Sequence, residues 1–382
     1  MSPTDLIYLD HNATTPVYPR VLEAMLPYLR GEYGNPSSGH SLGQRAHAAV
    51  EAARAQVARL IDCTPEEVLF TSGGTEANNL ALRGVCDANP DERHIVTTTV
   101  EHPAISAPCR HLEECGYRVT RVPVGADGRV DPAMVAAAMT VDTLLVTVML
   151  AQNETGALMP VAEIARAAHA RGALMHTDAA QAVGKIETRV GDLDVDLLSI
   201  AGHKLYAPKG VGALYVRRGV PLKPLLLGAG HERGLRPGTE NVPHIVGLGA
   251  ACELAARDLA VEAKRLTTLT EELWTLLARE LPGIRRNGQP HARLPNTLNV
   301  SFDGVRGSAL LAAAPEIAAS TGAACHDGGE RPSPVLLAMG VPEASAWGAV
   351  RLSLGRSTTT DDVRRAALAL SRAYREVKAR GA

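Results

Sequence analysis

The chain has 382 residues, of which 46% are hydrophobic and 21% are charged, a balance that excludes a long disordered or fibrous protein. Its 39 Lys and Arg residues against 41 Asp and Glu residues give a formal net charge of −2, so it lacks the basic excess of nucleic-acid-binding proteins. Only 3% of the residues are aromatic, which argues against base-stacking surfaces, and we expect no direct nucleic-acid partner.

The start of the chain, Met1 to Asp10, lacks the basic segment and apolar stretch of a signal peptide. The six cysteines include no Cys-x-x-Cys pair and indicate no disulfide framework. The longest apolar run, Leu144 to Ala151, is far shorter than the ~20 residues that span a bilayer. We therefore expect a cytoplasmic protein without a membrane partner. Two histidines and two cysteines lie close together, but their spacing matches no structural zinc pattern and we expect no metal: His102, Cys109, His111 and Cys115.

Short β-rich runs alternate with Ala-rich helical segments through the first two thirds of the chain. This alternation predicts an α/β fold with a mainly parallel sheet that is buried on both faces. Helices are predicted at residues 75–88, 103–115, 132–139 and 161–170. Seven strands are predicted at residues 68–70, 94–100, 119–122, 144–150, 173–176, 196–200 and 212–216.

The last third of the chain has a different pattern. A long helical stretch at about 246–281 ends at Pro282 and Gly283, after which strands are predicted at 297–302 and 350–354 and a closing helix at 361–379. This order is typical of a smaller α+β domain. We assign residues 14–255 to a large domain, and residues 1–13 and 256–382 to a small domain.

A Gly-rich turn follows the first predicted strand of the sheet. Residues 71–79, Thr-Ser-Gly-Gly-Thr-Glu-Ala-Asn-Asn, open a helix whose free N–H groups and hydroxyls can hold an anion. The turn contains neither a P-loop nor a dinucleotide-binding fingerprint. Taken alone, it is equally well explained as a helix cap.

Three further side chains follow other strands, at the edge where such sheets bind ligands. His102 is a flat ring, Asp178 is a carboxylate that needs donors or a cation if buried, and Lys204 lies where an apolar core favours a neutral amine. Each of these three residues, taken alone, is more simply explained by a structural role. Together with Gly74 and Thr75 as the anion cradle, they match pyridoxal 5'-phosphate: Asp178 would pair with the ring nitrogen, His102 would cover the ring, and Lys204 would attach it covalently.

Nine ordered motifs extend this pattern over nearly the whole chain, at residues 8–16, 34–38, 71–79, 153–156, 176–181, 202–204, 236–241, 321–326 and 353–356. They resemble those of the cysteine desulfurase and selenocysteine lyase family, within the fold-type I, class V aminotransferase-like enzymes that use pyridoxal 5'-phosphate. The resemblance implies a homodimer with its site at the subunit interface.

The resemblance also implies roles for residues that the strand pattern does not single out. Asn153, Gln181 and His203 would contact the cofactor, and Asn153 would lie beside the substrate as well. Thr239 would reach the phosphate of the neighbouring subunit's cofactor. Arg356 would bind the substrate carboxylate in a bidentate pair, a geometry that Arg suits better than Lys.

Cys325 separates this family from ordinary transaminases. It lies in a stretch of small residues and turn formers that is typical of a mobile loop, and the adjacent His326 favours thiolate formation. We expect its thiolate to take sulfur from L-cysteine, leaving L-alanine and a persulfide for an acceptor protein. Lys204 would remove the Cα proton, and His102 would act as acid and base. The other five cysteines are expected to be inert.

Three alternatives to this function stay open. The first is a selenocysteine lyase acting on L-selenocysteine, because Ala201 replaces a Ser common in desulfurases and the stretch around Cys325 resembles that of the lyases. The second is another pyridoxal phosphate enzyme, such as an aminotransferase, in which Cys325 is dispensable. The third is a scaffold that has kept the fold without catalysis. The acceptor of the sulfur is left open.

Overall fold

The protein is described by a computed structural model over residues 6–321 and 331–380. Cys325 and His326 lie outside these ranges. The strands are β1 (Ile7–Tyr8), β2 (Val68–Thr71), β3 (His94–Thr98), β4 (Arg118–Val122), β5 (Thr143–Thr147), β6 (Leu174–Asp178), β7 (Leu197–Ala201), β8 (Gly212–Val216), β9 (Arg285–Arg286), β10 (Thr297–Ser301), β11 (Ile317–Ala318) and β12 (Ala349–Ser353). The helices are α1 (Pro19–Arg30), α2 (Ser41–Ile61), α3 (Gly74–Ala88), α4 (Pro103–Glu114), α5 (Pro132–Ala138), α6 (Val161–His169), α7 (Val190–Leu193), α8 (Val242–Glu280), α9 (Gly307–Ala312), α10 (Pro334–Ala338), α11 (Glu343–Trp347) and α12 (Thr360–Arg380).

A seven-stranded sheet forms the centre of the fold, in the order β2-β8-β7-β6-β5-β3-β4. The pairs from β7 to β4 are parallel, whereas β8 runs antiparallel to both β7 and β2. Every residue of β3, β5 and β7 is buried, as expected for strands covered by helices on both faces. The predicted mainly parallel seven-stranded sheet is confirmed.

The longest helix, α8, connects two apolar cores. Its first half buries Ile245 and Leu248 against the core of the large sheet, and its second half buries Leu266, Leu273 and Leu277 in a separate core. That second core also contains residues 7 and 9 and residues between 298 and 374. The division at residues 14–255 stays a prediction, since the first core also takes in residues 335 and 336.

The start of the chain packs with its end. The short strand β1 pairs in parallel with β11, and β12, β10 and β9 form an antiparallel sheet. Ser353 N–H donates to Leu9 O at 2.7 Å, and His11 N–H donates to Ser353 O at 3.2 Å. The segment that follows β1 therefore leaves the small sheet beside β12 and continues toward the carboxyl ends of the large sheet.

None of the described helices is long and apolar enough to cross a bilayer.

Candidate active site

Lys204 lies in a short 3-10 helix over Gly202–Lys204, directly after β7. Its Nζ donates to the main-chain oxygens of Asn12 and, at 2.8 Å, of Ala13. Burial, aided by the charge of Arg351, lowers the pKa of Lys204 from 10.5 to about 8, against the opposing effect of Asp178. Such an amine is neutral in a useful fraction of molecules near neutral pH, which is what addition to a carbonyl requires.

The segment that carries Asn12 also holds the neighbouring His203. The His203 carbonyl accepts from both Thr15 N and Thr15 Oγ1 at 3.0 Å, and its ring Nδ1 lies 3.1 Å from Thr14 Oγ1. Burial and the Lys204 charge lower the pKa of His203 to about 4. The imidazole is therefore neutral, and residues 12–15 hold the turn that presents Lys204.

Asp178 is the last residue of β6 and is 6% exposed. Asn78 Nδ2 donates to Asp178 Oδ2 at 2.7 Å, and Ala180 N donates to Oδ1 at 2.9 Å. These donors stabilise the buried carboxylate. Because Asn78 belongs to α3, the same contact ties the Gly-rich turn to the strand that bears Asp178.

The Gly-rich turn has the properties of an anion cradle. Helix α3 begins at Gly74, and no side chain in the described part of the protein caps its N-terminus, so its first N–H groups can bind an anion. Thr75 is exposed there. A Cβ at Gly74 would lie 3.1 Å from the Cβ of Ala201, so the turn packs closely on the end of β7.

His102 is exposed and precedes α4, where its Nδ1 accepts from Ala104 N at 3.1 Å. The ring thus also serves as a helix cap. The preceding Glu101 is held through Oε1 by Thr98 Oγ1 at 2.8 Å and Met149 N at 3.0 Å. Burial raises the pKa of Glu101 to about 8.

Asn153 and Gln181 both lie against Asn12. Gln181 Nε2 donates to Asn12 O at 3.0 Å, and Asn12 Nδ2 donates to Asn153 O at 3.3 Å. The structure thus brings both predicted cofactor contacts to the Lys204 turn. Sequence reasoning assigned no role to Asn12 itself, although it lies in one of the quoted motifs.

Two arginines near the C-terminal motif, Arg356 within it and Arg351 just before it, have different surroundings. Arg356 pairs with Asp258 at 2.7 Å and lies over the ring of Tyr206, although it also lines a small cavity next to Lys204. Arg351 is 4% exposed on β12, donates to Asn153 O at 3.1 Å, and is the neighbouring charge that most lowers the pKa of Lys204.

Arg351 is therefore a second candidate, beside Arg356, for binding the substrate carboxylate. Each guanidinium has a carboxylate partner, Asp258 for Arg356 and Asp10 for Arg351, but Arg351 also contacts the Asn153 loop. Sequence reasoning missed Arg351. The available signal was a charged residue inside the otherwise apolar run Ala-Val-Arg-Leu-Ser of a buried strand.

Neither Thr239 nor the two cysteines at residues 109 and 115 contact Lys204 in the part of the chain that the structure describes. Thr239 is exposed, and within the described ranges no contact brings it to the Lys204 turn of its own chain. Cys109 is fully buried in an apolar core, and Cys115 Sγ lies 3.8 Å from His111 Nε2. Over residues 6–321 and 331–380, no three His, Cys, Asp or Glu side chains are grouped as metal ligands would be.

The described residues fit pyridoxal 5'-phosphate. An uncapped helix N-terminus suits its phosphate, the buried and donor-stabilised Asp178 suits its ring nitrogen, and the low pKa of Lys204 suits its aldehyde. Lys204 and Arg351 bring basic groups to one site, and an anionic cofactor and a carboxylate substrate would balance their charge.

Comparison with known proteins agrees with this chemistry. Residues 7–366 match the family model Aminotransferase class-V. A cysteine desulfurase of Trichormus azollae is 48% identical over 362 residues, covering 94% of this chain and 90% of that protein. A solved NifS-like protein has a TM-score of 0.90 and 38% identity, covering 96% and 98% of the two chains. A solved structure described as SspA in complex with cysteine has a TM-score of 0.82 and 35% identity, covering 91% and 98%.

Proposed function

Since the chain belongs to the class-V aminotransferases and, within them, to the cysteine desulfurases, we propose that it takes sulfur from L-cysteine at the Lys204 site and passes it through Cys325. The products are L-alanine and a persulfide on Cys325, from which an acceptor protein receives the sulfur. The observation that carries this proposal is the low-pKa Lys204 amine beside Asp178 and the uncapped α3. Sequence identity of 48% to a cysteine desulfurase supports the substrate.

The cofactor, when bound, would supply a ring that stores the electron pair released at the substrate Cα. Gly74 and Thr75 would hold its phosphate, and Asp178 would hold its ring nitrogen. Lys204 would take the Cα proton at Nζ, because burial keeps a fraction of this amine neutral. The carbonyls of Asn12 and Ala13 orient that nitrogen.

For the substrate carboxylate we propose Arg351 in place of Arg356. Arg351 is buried, contacts the Asn153 loop and acts electrostatically on Lys204, so an anion bound there would lie next to the reacting amine. Both arginines have a carboxylate partner, Asp10 for Arg351 and Asp258 for Arg356, so the ion pairs do not distinguish the two. Loss of cysteine binding on Arg356→Gln, with Arg351→Gln unaffected, would restore the original assignment.

Sulfur transfer needs a thiolate and a proton donor. The Cys325 thiolate would form a bond to the substrate sulfur while the Cβ–S bond breaks and its electron pair moves to carbon. Lys204 would return its proton to Cα, and a second proton, delivered to Cβ, would complete alanine. His102 is the proposed donor. Because His102 Nδ1 accepts from Ala104 N, the neutral ring carries its proton on Nε2, and the transfer is assigned to that atom.

A comparison of two cysteine variants tests the function. Cys325→Ala should retain the visible absorbance of the cofactor and lose both alanine and sulfide production from cysteine. Cys115→Ala is the matched control, because Cys115 is exposed and far along the chain from Cys325, and it should match the wild type. Unchanged cysteine turnover in Cys325→Ala would refute the persulfide step. A parallel assay with selenocysteine and selenide measures the lyase alternative.

We also propose that the enzyme is a cytoplasmic homodimer. Leu226 and Leu227 are 59% and 93% exposed in the stretch that leads to the exposed Thr239, and covering such side chains favours association. Light scattering of the purified protein should give twice the mass of the 40.2 kDa chain. A monomeric mass would contradict the assignment of Thr239 to a neighbouring site.

A further inference from the structure

A second lysine, Lys185, lies next to the Lys204 turn and has no part in the reaction described above. Lys185 Nζ donates to Gln181 Oε1 at 2.9 Å and to Asn12 Oδ1 at 3.1 Å. Gln181 Nε2 in turn donates to Asn12 O at 3.0 Å. The three residues thus form a closed ring of hydrogen bonds, and its Asn12 carbonyl is also the acceptor for Lys204.

The position of Lys185 is electrostatically unfavourable. Burial, with the charges of Lys204 and Arg351, holds the pKa of Lys185 well below its usual range, and the nearby His11 ring has its own pKa lowered to about 4. No carboxylate of residues 6–321 and 331–380 opposes these effects at Lys185. Burying a basic group in such surroundings lowers the free energy of unfolding, and its hydrogen bonds offset part of that cost.

The two hydrogen-bond acceptors of Lys185, in Gln181 and Asn12, indicate its role. Both are side-chain amides, whose ends can rotate by half a turn at little expense because the terminal torsion is broad. Lys185 Nζ is the donor in both contacts, so it meets the oxygen of each amide. Gln181 is thereby fixed with its NH2 group toward the Lys204 turn. Asn12 does not depend on Lys185 in the same way, because Asn296 Nδ2 also donates to Asn12 Oδ1 at 3.1 Å and Asn12 Nδ2 donates to Thr297 Oγ1 at 2.8 Å.

We propose that Lys185 is a positioning residue, which orients Gln181 to donate to the cofactor. The inference rests on the proposed function for the identity of the bound group. It assigns to Lys185 no contact with substrate or cofactor. Without Lys185, Gln181 Oε1 loses its donor, and the amide would turn its oxygen toward the site in part of the molecules.

The test uses the apo protein and pyridoxal 5'-phosphate alone, without cysteine. Lys185→Met removes the donor at similar length, and we expect roughly tenfold weaker cofactor binding together with a displaced visible absorption band. Lys185→Arg keeps the donors, and the cavity that Lys185 lines with Gly184 and Tyr206 offers room for it. It should restore both readouts toward the wild type.

A double variant separates positioning from general stability. If Lys185 acts through Gln181, then Gln181→Ala and Lys185→Met together should weaken binding no more than Gln181→Ala alone. Additive losses, or a Lys185→Met protein with wild-type affinity and spectrum, would overturn the proposal. If Lys185→Met does not fold, the Lys185→Arg variant decides the question. Near-normal affinity for pyridoxal 5'-phosphate would support the positioning role, and a tenfold loss of that affinity would refute it.

These measurements stand apart from the test of the function. If the wild type released no alanine from cysteine but the Lys185 variants behaved as expected, only the desulfurase proposal would fail. If alanine formed normally but Lys185→Met bound the cofactor like the wild type, only the positioning role would fail.

Discussion

The low pKa of Lys204 predicts how fast the apo protein takes up its cofactor at each pH. With a pKa of about 8, roughly a tenth of the molecules carry a neutral Lys204 amine at pH 7, against about one in three thousand for an ordinary lysine. Only the neutral amine adds to an aldehyde. Burial and Arg351 thus raise the reactive fraction about 300-fold at pH 7.

The assay mixes apo protein with pyridoxal 5'-phosphate and follows the visible band in a stopped-flow instrument from pH 6 to pH 10. The rate of covalent attachment should rise about tenfold per pH unit at low pH and level off above a midpoint of about 8. Borohydride trapping on Lys204 identifies the product.

Two arginine variants test the cause of this midpoint. Arg351→Gln removes the neighbouring charge that most lowers the pKa of Lys204, so its midpoint should move upward and its rate at pH 7 should fall. Arg356→Gln is the control, because Arg356 is paired with Asp258 and does not contribute to the Lys204 shift. A wild-type midpoint near 10, or equal midpoints in Arg351→Gln and the wild type, would refute the reasoning.

Three other substitutions have outcomes fixed by the structure. Gly74→Ala places a Cβ 3.1 Å from that of Ala201, and we expect it to lower the free energy of unfolding by about 1 kcal/mol and to weaken cofactor binding in an equilibrium titration. Arg54→Ala leaves the buried Glu232 carboxylate without its 2.7 Å partner, and urea unfolding should show a loss of about 3–5 kcal/mol. Burial raises the pKa of Glu101 to about 8, above the ~4.3 of an unfolded chain, so the folded protein keeps a proton that the unfolded chain loses. The free energy of unfolding should therefore fall as pH rises from about 4.5 to 8, and Glu101→Gln should flatten that fall in urea titrations at stepped pH.

Each of these substitutions has a control or a contradicting result. Gly39→Ala adds a Cβ with nothing within 4 Å and should leave cofactor binding unchanged. Arg45→Ala breaks an ion pair whose arginine is 52% exposed, and should lose less than about 1 kcal/mol. An equal loss in Arg45→Ala and Arg54→Ala would contradict the role of burial. An unchanged pH profile in Glu101→Gln would mean that the Glu101 carboxyl titrates normally when folded.

The sheet was predictable because its strands are short apolar runs separated by Ala-rich helices. The predicted strands 94–100 and 144–150 end two and three residues too late, since their apolar composition continues after the ladder stops at Thr98 and Thr147. Helices α1 and α2 were not predicted. In α1, Pro27 lies inside the helix, where proline is usually a breaker.

Some residues of the candidate site were predictable from the sequence and others were not. Lys204, Asp178 and the Gly74 turn follow strands of one sheet, so strand order alone brings them to one edge. Arg351 and Asn12 reach Lys204 only through contacts between distant parts of the chain, and Lys185 only through the hydrogen bonds of two amides. Local sequence patterns do not determine contacts between distant parts of the chain. The order of residues in a motif does not show which side chains are in contact.

The pairing of the first residues with β12 has a consequence for synthesis. Arg351 and its partner Asp10 are 341 residues apart, which at roughly 5–20 residues per second corresponds to about 20 to 70 seconds on the ribosome. The central sheet and Lys204 can be complete long before Arg351 is made. A nascent chain therefore exposes a finished sheet edge with an unfinished pocket, and the enzyme cannot complete its site before β12 has been synthesised.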